Sequence, residues 1–192
     1  MSGYIYITGH GADPALDEHI NDPLFTDVPT LGACMPNIRR AVSLGDWIFV
    51  ISGKRPIVQQ YIVGGLRVAE KIDALAALER FPQNRLRILN NGKLAGNIIV
   101  DEKGNRSPLD THRSDTFEKR IKNYIVGSES VSITEKKEVE RSRDETLPLL
   151  SELAGKPGAN RVIDAIGRFR KLDDMQTEKL LGWLKGIKSP PS

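Results

Sequence analysis

Aromatic and arginine side chains near two runs of β-forming residues give this sequence its clearest chemistry. Trp47 directly follows a Gly45-Asp46 turn, and Tyr6 lies in an alternating aromatic and β-branched run. Arg39 and Arg40 stand shortly before Trp47. Aromatic faces stack on bases, and guanidinium groups bond phosphates and base edges. The pattern therefore predicts recognition of a base or nucleotide without a need for catalysis.

Each of these side chains also has a structural alternative. We expect Trp47 to line an open pocket because it starts a strand, although the same ring could fill the core. Arg39 and Arg40 could contact a ligand or pair with the acidic N-terminal segment. His10, in the Gly9-His10-Gly11 turn after the first predicted strand, could bond a base or phosphate or simply be solvated.

Residues for metal or nucleophilic chemistry are sparse. The chain has three histidines and one cysteine, and none lies at metal-ligand spacing from another, which excludes the zinc deaminases. Cys34 has apolar neighbours and is expected to be a buried structural thiol. No spacing singles out a carboxylate pair among Asp46, Glu70, Asp101 and Asp110. We predict no metal and no cofactor, and the sequence leaves open whether any reaction is catalysed.

Charge is unevenly distributed along the chain. Residues 1–38 contain five acidic and no basic side chains, whereas residues 39–130 contain 16 basic against 10 acidic ones. Such a surplus would support modest, salt-sensitive binding to DNA or RNA, but it is also ordinary for a protein surface. No stretch has the length of a membrane span, no secretory signal is evident, and a single cysteine excludes an internal disulfide. We therefore expect a cytoplasmic protein with no membrane partner.

The elements that must position these residues are short strands with few helices between them. Strands are predicted at 4–8, 48–51, 61–63, 85–89, 97–100, 124–126 and 131–133, and helices at 36–42 and 72–81. This spacing favours an α+β fold with a mixed, mostly antiparallel barrel over residues 1–133. Residues 134–192 are predicted to form a helical appendage of three helices. Its apolar stripe, at Leu180, Leu181, Leu184 and Ile187, must be covered by the rest of the chain or by a second subunit, which would make a homo-oligomer.

One stretch also carries a family resemblance. The residues concerned are Thr30-Leu31-Gly32-Ala33-Cys34, Pro36, Ile38-Arg39-Arg40-Ala41, Gly45-Asp46-Trp47 and Arg67-Val68-Ala69-Glu70. This pattern resembles the nucleotide modification associated domains found beside phage and bacterial DNA-modification genes, particularly the second type. The Gly-Asp-Trp strand is also similar to the PUA, ASCH, EVE and YTH superfamily of base-binding barrels.

Four further residues are predicted ligand contacts. Asn37 and Asp46 lie within the motif, and the resemblance implies Asn97 and His112 as its continuation. Met35 and the Gly96-Asn97 step depart from the family pattern, and either departure would suit a different ligand.

Three functions follow as hypotheses. The first is a PUA-like barrel that recognises a nucleotide or modified base in DNA or RNA, in a phage or bacterial DNA-modification context. The second is an enzyme acting on such a base, with His112, Asn97 and Asp46 in its site. The third is an assembly module that dimerises through residues 134–192.

Overall fold

The structure is a computed structural model and describes residues 2–9, 11–18 and 20–188. Its helices and strands are, in chain order, β1 (Gly3–Ile7), α1 (Pro14–Asp17), β2 (Thr30–Leu31), α2 (Pro36–Ala41), β3 (Trp47–Ile51), β4 (Ile62–Ile72), α3 (Ala74–Arg80), β5 (Arg87–Ile88), β6 (Leu94–Ala95), α4 (Phe117–Arg120), β7 (Tyr124–Ser132), α5 (Lys136–Leu153), α6 (Val162–Ile166), β8 (Phe169–Leu172) and α7 (Asp174–Lys188). None of these helices has both the length and the hydropathy of a membrane span.

Six strands form one mixed sheet in the order β2-β7-β4-β3-β1-β8. Strands β1 and β3 run parallel, while β3–β4, β1–β8 and β2–β7 are antiparallel pairs. Every residue of β3 is buried, as expected for an apolar, β-branched strand in the interior of a sheet. The predicted α+β class with a mostly antiparallel sheet is confirmed. No closed barrel is detected in the described part of the chain, so the PUA-like barrel stays a prediction.

Most predicted elements are present, and the differences have local causes. Helices α2 and α3 form where the apolar spacing indicates, and the two closing strands join into the single strand β7. The middle one of the three helices predicted within residues 134–192 is replaced by α6 and the strand β8. Gly167 ends α6 at a φ of 70°, and Phe169 then pairs with Tyr6 at the edge of the sheet. Hydrogen bonding to the edge of β1 therefore determines the conformation of β8, in spite of the helical periodicity of its sequence.

The chain divides into two compact units, and the first comprises the described residues within 1–19, 46–67 and 130–192. Trp47 is 1% exposed in this unit and its ring stacks on Phe49, with centroids 5.8 Å apart. In α7, Leu180 and Leu184 are fully buried in this single chain. The predicted apolar stripe is therefore largely covered without a second subunit, and a homo-oligomer through residues 134–192 stays a prediction.

The second unit comprises residues 20–45 and 68–129. Its main core cluster packs Ala77 and Leu78 of α3, and Phe81 directly after it, against Tyr124 and Val126 of β7. The rings of Phe81 and Tyr124 stack with centroids 6.5 Å apart. A smaller cluster consists of Ala33, Leu86 and Ile99, with Leu109 and other partly buried apolar side chains packed against it. The second unit also contains most of the polar residues described next.

Candidate functional site

A tight turn after β2 is held by a buried carboxylate. Asp22 Oδ1 accepts the Gly32 N–H at 2.7 Å, and Oδ2 accepts the N–H groups of Ala33 and Cys34 at 2.9 and 2.5 Å. Successive N–H groups of this kind form an anion-binding concavity, which the protein fills with its own side chain. A Cβ on Gly32 would lie 2.2 Å from the Asn97 carbonyl oxygen, so only glycine fits. The turn is a rigid part of the scaffold.

Asn97 ties this turn to the neighbouring strand. Its Nδ2 donates to Asp22 Oδ1 at 3.0 Å and to Thr30 Oγ1 at 3.1 Å, and its Oδ1 accepts from the Tyr124 hydroxyl at 2.8 Å. Burial raises the pKa of Tyr124 to about 12, so the hydroxyl keeps its proton at neutral pH. Asn97, a predicted ligand contact, is itself buried with its amide bonded inside the unit.

Arg39 is fully buried and bonds the backbone. Its guanidinium donates to the carbonyl oxygens of Ala33, Cys34, Arg120, Lys122 and Asn123, at distances from 2.6 to 3.4 Å. A planar fork with five N–H groups suits such a cluster of acceptors, which a lysine could not serve equally. The structure therefore gives Arg39 a structural role that differs from both sequence-based alternatives.

Three other residues of the motif have different surroundings: two are exposed and the third, Cys34, is chemically unreactive. Asn37 and Arg40 are exposed on α2. Burial, reinforced by the nearby Asp22 carboxylate, raises the pKa of the Cys34 thiol far above its usual range. A thiol that stays protonated is a poor nucleophile, although Cys34 is half-buried and not fully buried as expected.

In the loop of residues 106–116, one buried carboxylate, that of Asp110, bonds the side chains of both Arg106 and His112. Asp110 is 1% exposed at its side chain and accepts from Arg106 Nε at 2.8 Å, while the other carboxylate oxygen lies 2.6 Å from His112 Nδ1. Arg106 also donates to the carbonyl oxygens of Asp110 and His112. The side chains of Arg106 and His112 remain 30% and 26% exposed. Both are thus fixed at one end and open to solvent.

The electrostatics of this cluster favour a charged carboxylate. Burial by itself raises the pKa of Asp110, but hydrogen bonds from His112 and Arg106 outweigh it and hold that pKa below its usual range. An ionised Asp110 orients the His112 ring and leaves Nε2 as the nitrogen that can meet a ligand. Such a pair can bind a phosphate or a base edge, and it can also transfer a proton.

The predicted contacts fall in both units. Arg39 and Asn97 converge on the Asp22-held turn, and His112 belongs to the 106–116 loop. Tyr6, Asp46 and Trp47 are buried in the first unit, where Asp46 accepts from the Ser2 hydroxyl at 2.9 Å. His10 lies outside the described residues.

Three residues that the sequence did not single out organise these sites. They are Asp22, Arg106 and Asp110. The Asp-x-His spacing of Asp110 and His112 was a usable signal, whereas nothing local distinguishes Asp22 from the other acidic residues of its loop. Within the described ranges, no group of three His, Cys, Asp or Glu side chains is placed to hold a metal ion.

Comparison with known proteins relates part of this chain to a described family of domains. No curated protein matches the chain. The model of the family described as nucleotide modification associated domain 2 matches residues 13–91, which include Asp22, Gly32 and Arg39. Over that segment this protein therefore matches the nucleotide modification associated domain 2 family, which confirms the resemblance and suggests a role tied to nucleotide modification.

Proposed function

We propose that this protein recognises a nucleotide or modified base in DNA or RNA, and that the loop of residues 106–116 makes the contact. The observation that carries the proposal is that His112 and Arg106 are both anchored by the buried Asp110 yet partly exposed. Side chains fixed before binding lose little conformational freedom when a ligand arrives. The family match over residues 13–91 supports a nucleotide as the ligand.

The chemistry of this pair suits a nucleotide. Arg106 donates within the loop through Nε and Nη2, so Nη1 is the nitrogen that can bond a phosphate or a base edge, and the imidazole Nε2 of His112 adds one further hydrogen bond. Neither contact requires a closed barrel, because both side chains lie on a loop. A PUA-like architecture, a DNA-modification context and a cytoplasmic location remain part of the proposal.

Binding by His112 can be tested by substitution. We expect His112→Gln to weaken binding to a nucleotide or a short oligonucleotide about 10- to 100-fold, which is the loss of one charge-assisted hydrogen bond. The measurement is fluorescence anisotropy with matched duplexes and single strands that carry unmodified or methylated bases, at about 50 and 200 mM salt. Affinity should fall at the higher salt if phosphates are contacted.

The control is Arg80→Gln. Like Arg106, Arg80 is a partly exposed arginine of the second unit, and it is paired with Glu70 at 2.7 Å. This substitution should leave affinity unchanged. Unaltered binding by a His112→Gln protein that melts like the wild type would refute the proposed contact.

A second candidate function is an enzyme acting on a nucleotide or modified base. The observation in its favour is the 2.6 Å contact between His112 Nδ1 and Asp110 Oδ1, since a carboxylate so placed prepares an imidazole for general acid or base catalysis. Mass spectrometry separates the two functions. Nucleosides that co-purify unchanged, and modified oligonucleotides that keep their mass during incubation, indicate recognition alone; a mass change that His112→Gln abolishes indicates catalysis.

A further inference from the structure

An isoleucine projects into solvent from the loop between β3 and β4. Ile57 is 105% exposed, the largest exposure of any large hydrophobic side chain in the described residues, and its backbone has a φ of 72°. A β-branched residue rarely adopts this left-handed conformation, and strain of this kind is concentrated at functional positions. The side chain packs on nothing that would explain its apolar character.

The base of this loop is firmly attached to the first unit. The Ser52 N–H donates to the Tyr61 carbonyl at 2.9 Å, and the Tyr61 N–H donates back to Ser52 Oγ at 3.0 Å. The Gly53 N–H donates to the Ala12 carbonyl at 2.6 Å, and a Cβ on Gly53 would lie 2.5 Å from the Ala12 nitrogen. These hydrogen bonds fix the base of the loop, whose tip at Ile57 is exposed to solvent.

Arg143 fastens the far end of the same loop. It donates to both carboxylate oxygens of the buried Asp13 at 3.0 and 2.9 Å, lies 4.7 Å over the Tyr61 ring, and also bonds the Gln59 carbonyl. Arg55, at the near end, is paired with Asp17. Because the loop is fixed at both ends, its tip can contact a partner without a change in the conformation of the loop.

The chemistry of the tip indicates what that partner is. Residues 53–60 contain two glutamines, no acidic side chain and two cationic ones, of which Arg55 is already paired with Asp17 and Lys54 is exposed. Lys54, Pro56 and Gln59 are exposed beside Ile57. Proteins that contact the minor groove combine cationic and amide side chains with apolar wedges, which include Ile and Pro as well as Phe, Leu and Met, that enter between base steps. Membrane attachment needs a broader apolar face, and protein interfaces depend on clusters of aromatic and arginine anchors.

We infer that Ile57 is a wedge that inserts between base steps of a nucleic-acid duplex, while Lys54 contacts the adjacent phosphates. The inference rests on the proposed function, since it takes the partner to be nucleic acid. It adds a second contact in the first unit and extends recognition from a single base to a deformed duplex.

Unstacking can be measured with 2-aminopurine, whose fluorescence rises when it leaves the base stack. The probe is a short duplex with 2-aminopurine at a flexible TA step. The wild-type protein should raise the fluorescence several-fold at saturation. Ile57→Ala should return it to the level of free duplex, and Ile57→Leu, which keeps an apolar side chain, should retain most of the rise. Ile163→Ala is the matched control, because Ile163 is an exposed isoleucine elsewhere in the same unit.

The outcomes separate the wedge from the proposed function. Duplex binding without a fluorescence change overturns the wedge and leaves the proposed function intact. Absence of duplex binding also overturns the wedge, and mononucleotide titration of the wild type and His112→Gln then decides the proposed function by itself. Binding to anionic lipid vesicles that depends on Ile57, with no change in the duplex, would assign the loop to membranes and overturn the inference.

Discussion

Replacing Asp22 with asparagine tests the scaffold with almost no change in shape. The asparagine oxygen can take the place of Oδ2 and still accept the N–H groups of Ala33 and Cys34. Its amide nitrogen then faces the Gly32 N–H and the Asn97 amide, which lie 2.7 and 3.0 Å from Asp22 Oδ1 in the wild type. Both of those groups are donors, so two hydrogen bonds to a charged acceptor become donor–donor contacts.

The expected cost follows from those two bonds. A hydrogen bond to a charged group contributes about 1.5 to 3 kcal/mol, so the free energy of unfolding should fall by roughly 3 to 6 kcal/mol. A flip of the Asn97 amide would restore one bond but would remove the acceptor of the Tyr124 hydroxyl. The loss is large against a typical total stability of about 5 to 15 kcal/mol.

Thermal and urea unfolding measure this loss. For a chain of this length each kcal/mol corresponds to about 2 to 4 °C, so the melting temperature should fall by at least about 6 °C. Asp27→Asn is the matched control, because Asp27 is an exposed acid of the same loop and its replacement should change stability by less than about 0.5 kcal/mol. An Asp22→Asn protein that melts with the wild type would refute the structural role of the carboxylate.

Three further substitutions test other parts of the structure. Trp47→Ala removes a buried ring stacked on Phe49 and should lower the free energy of urea unfolding by about 3 to 5 kcal/mol; a loss below about 2 kcal/mol would contradict its place in the core. Because the folded pKa of Asp110 is depressed, its stabilisation is present above the unfolded pKa near 4 and is lost as pH falls through the folded value. Asp110→Asn should therefore be less stable than wild type at pH 7, and the gap in melting temperature should close in acid; a gap independent of pH would argue against an ionised, hydrogen-bonded Asp110. Ile57→Asn should raise stability by about 1 kcal/mol, because asparagine tolerates a positive φ better, and an unchanged or lower melting temperature would show that Ile57 is unstrained.

Elements with strong local patterns could be predicted from the sequence. The β-branched run of β3 and the helical spacing of α2 and α3 produce the expected elements, because short-range packing preferences determine them. The pairing of β8 with β1 could not be predicted in this way. Its residues have helical periodicity, and the hydrogen-bonding groups of β1 that recruit them lie more than a hundred residues earlier in the chain.

The sequence indicates which types of side chain occur around the candidate site, but not what each of those side chains does. A guanidinium has the same sequence signature whether it meets a phosphate or a backbone carbonyl, and the carbonyls around Arg39 come from residues 33–34 and 120–123. Asp22 has no local signal, since its partners become neighbours only after the chain folds. His112 was among the predicted contacts and stays a prediction; its Asp-x-His spacing with Asp110 is short enough to be recognised in a sequence.

The buried polar groups determine how any binding experiment must be interpreted. Within residues 13–91, Asp22 and Arg39 bond the protein itself, so their substitution would weaken binding indirectly, by destabilising the second unit. Loss of binding in such a variant is therefore not evidence for contact with a ligand. Contact is demonstrated only by a variant that binds more weakly and melts unchanged, and that condition can be met at exposed, anchored side chains such as His112 and Ile57.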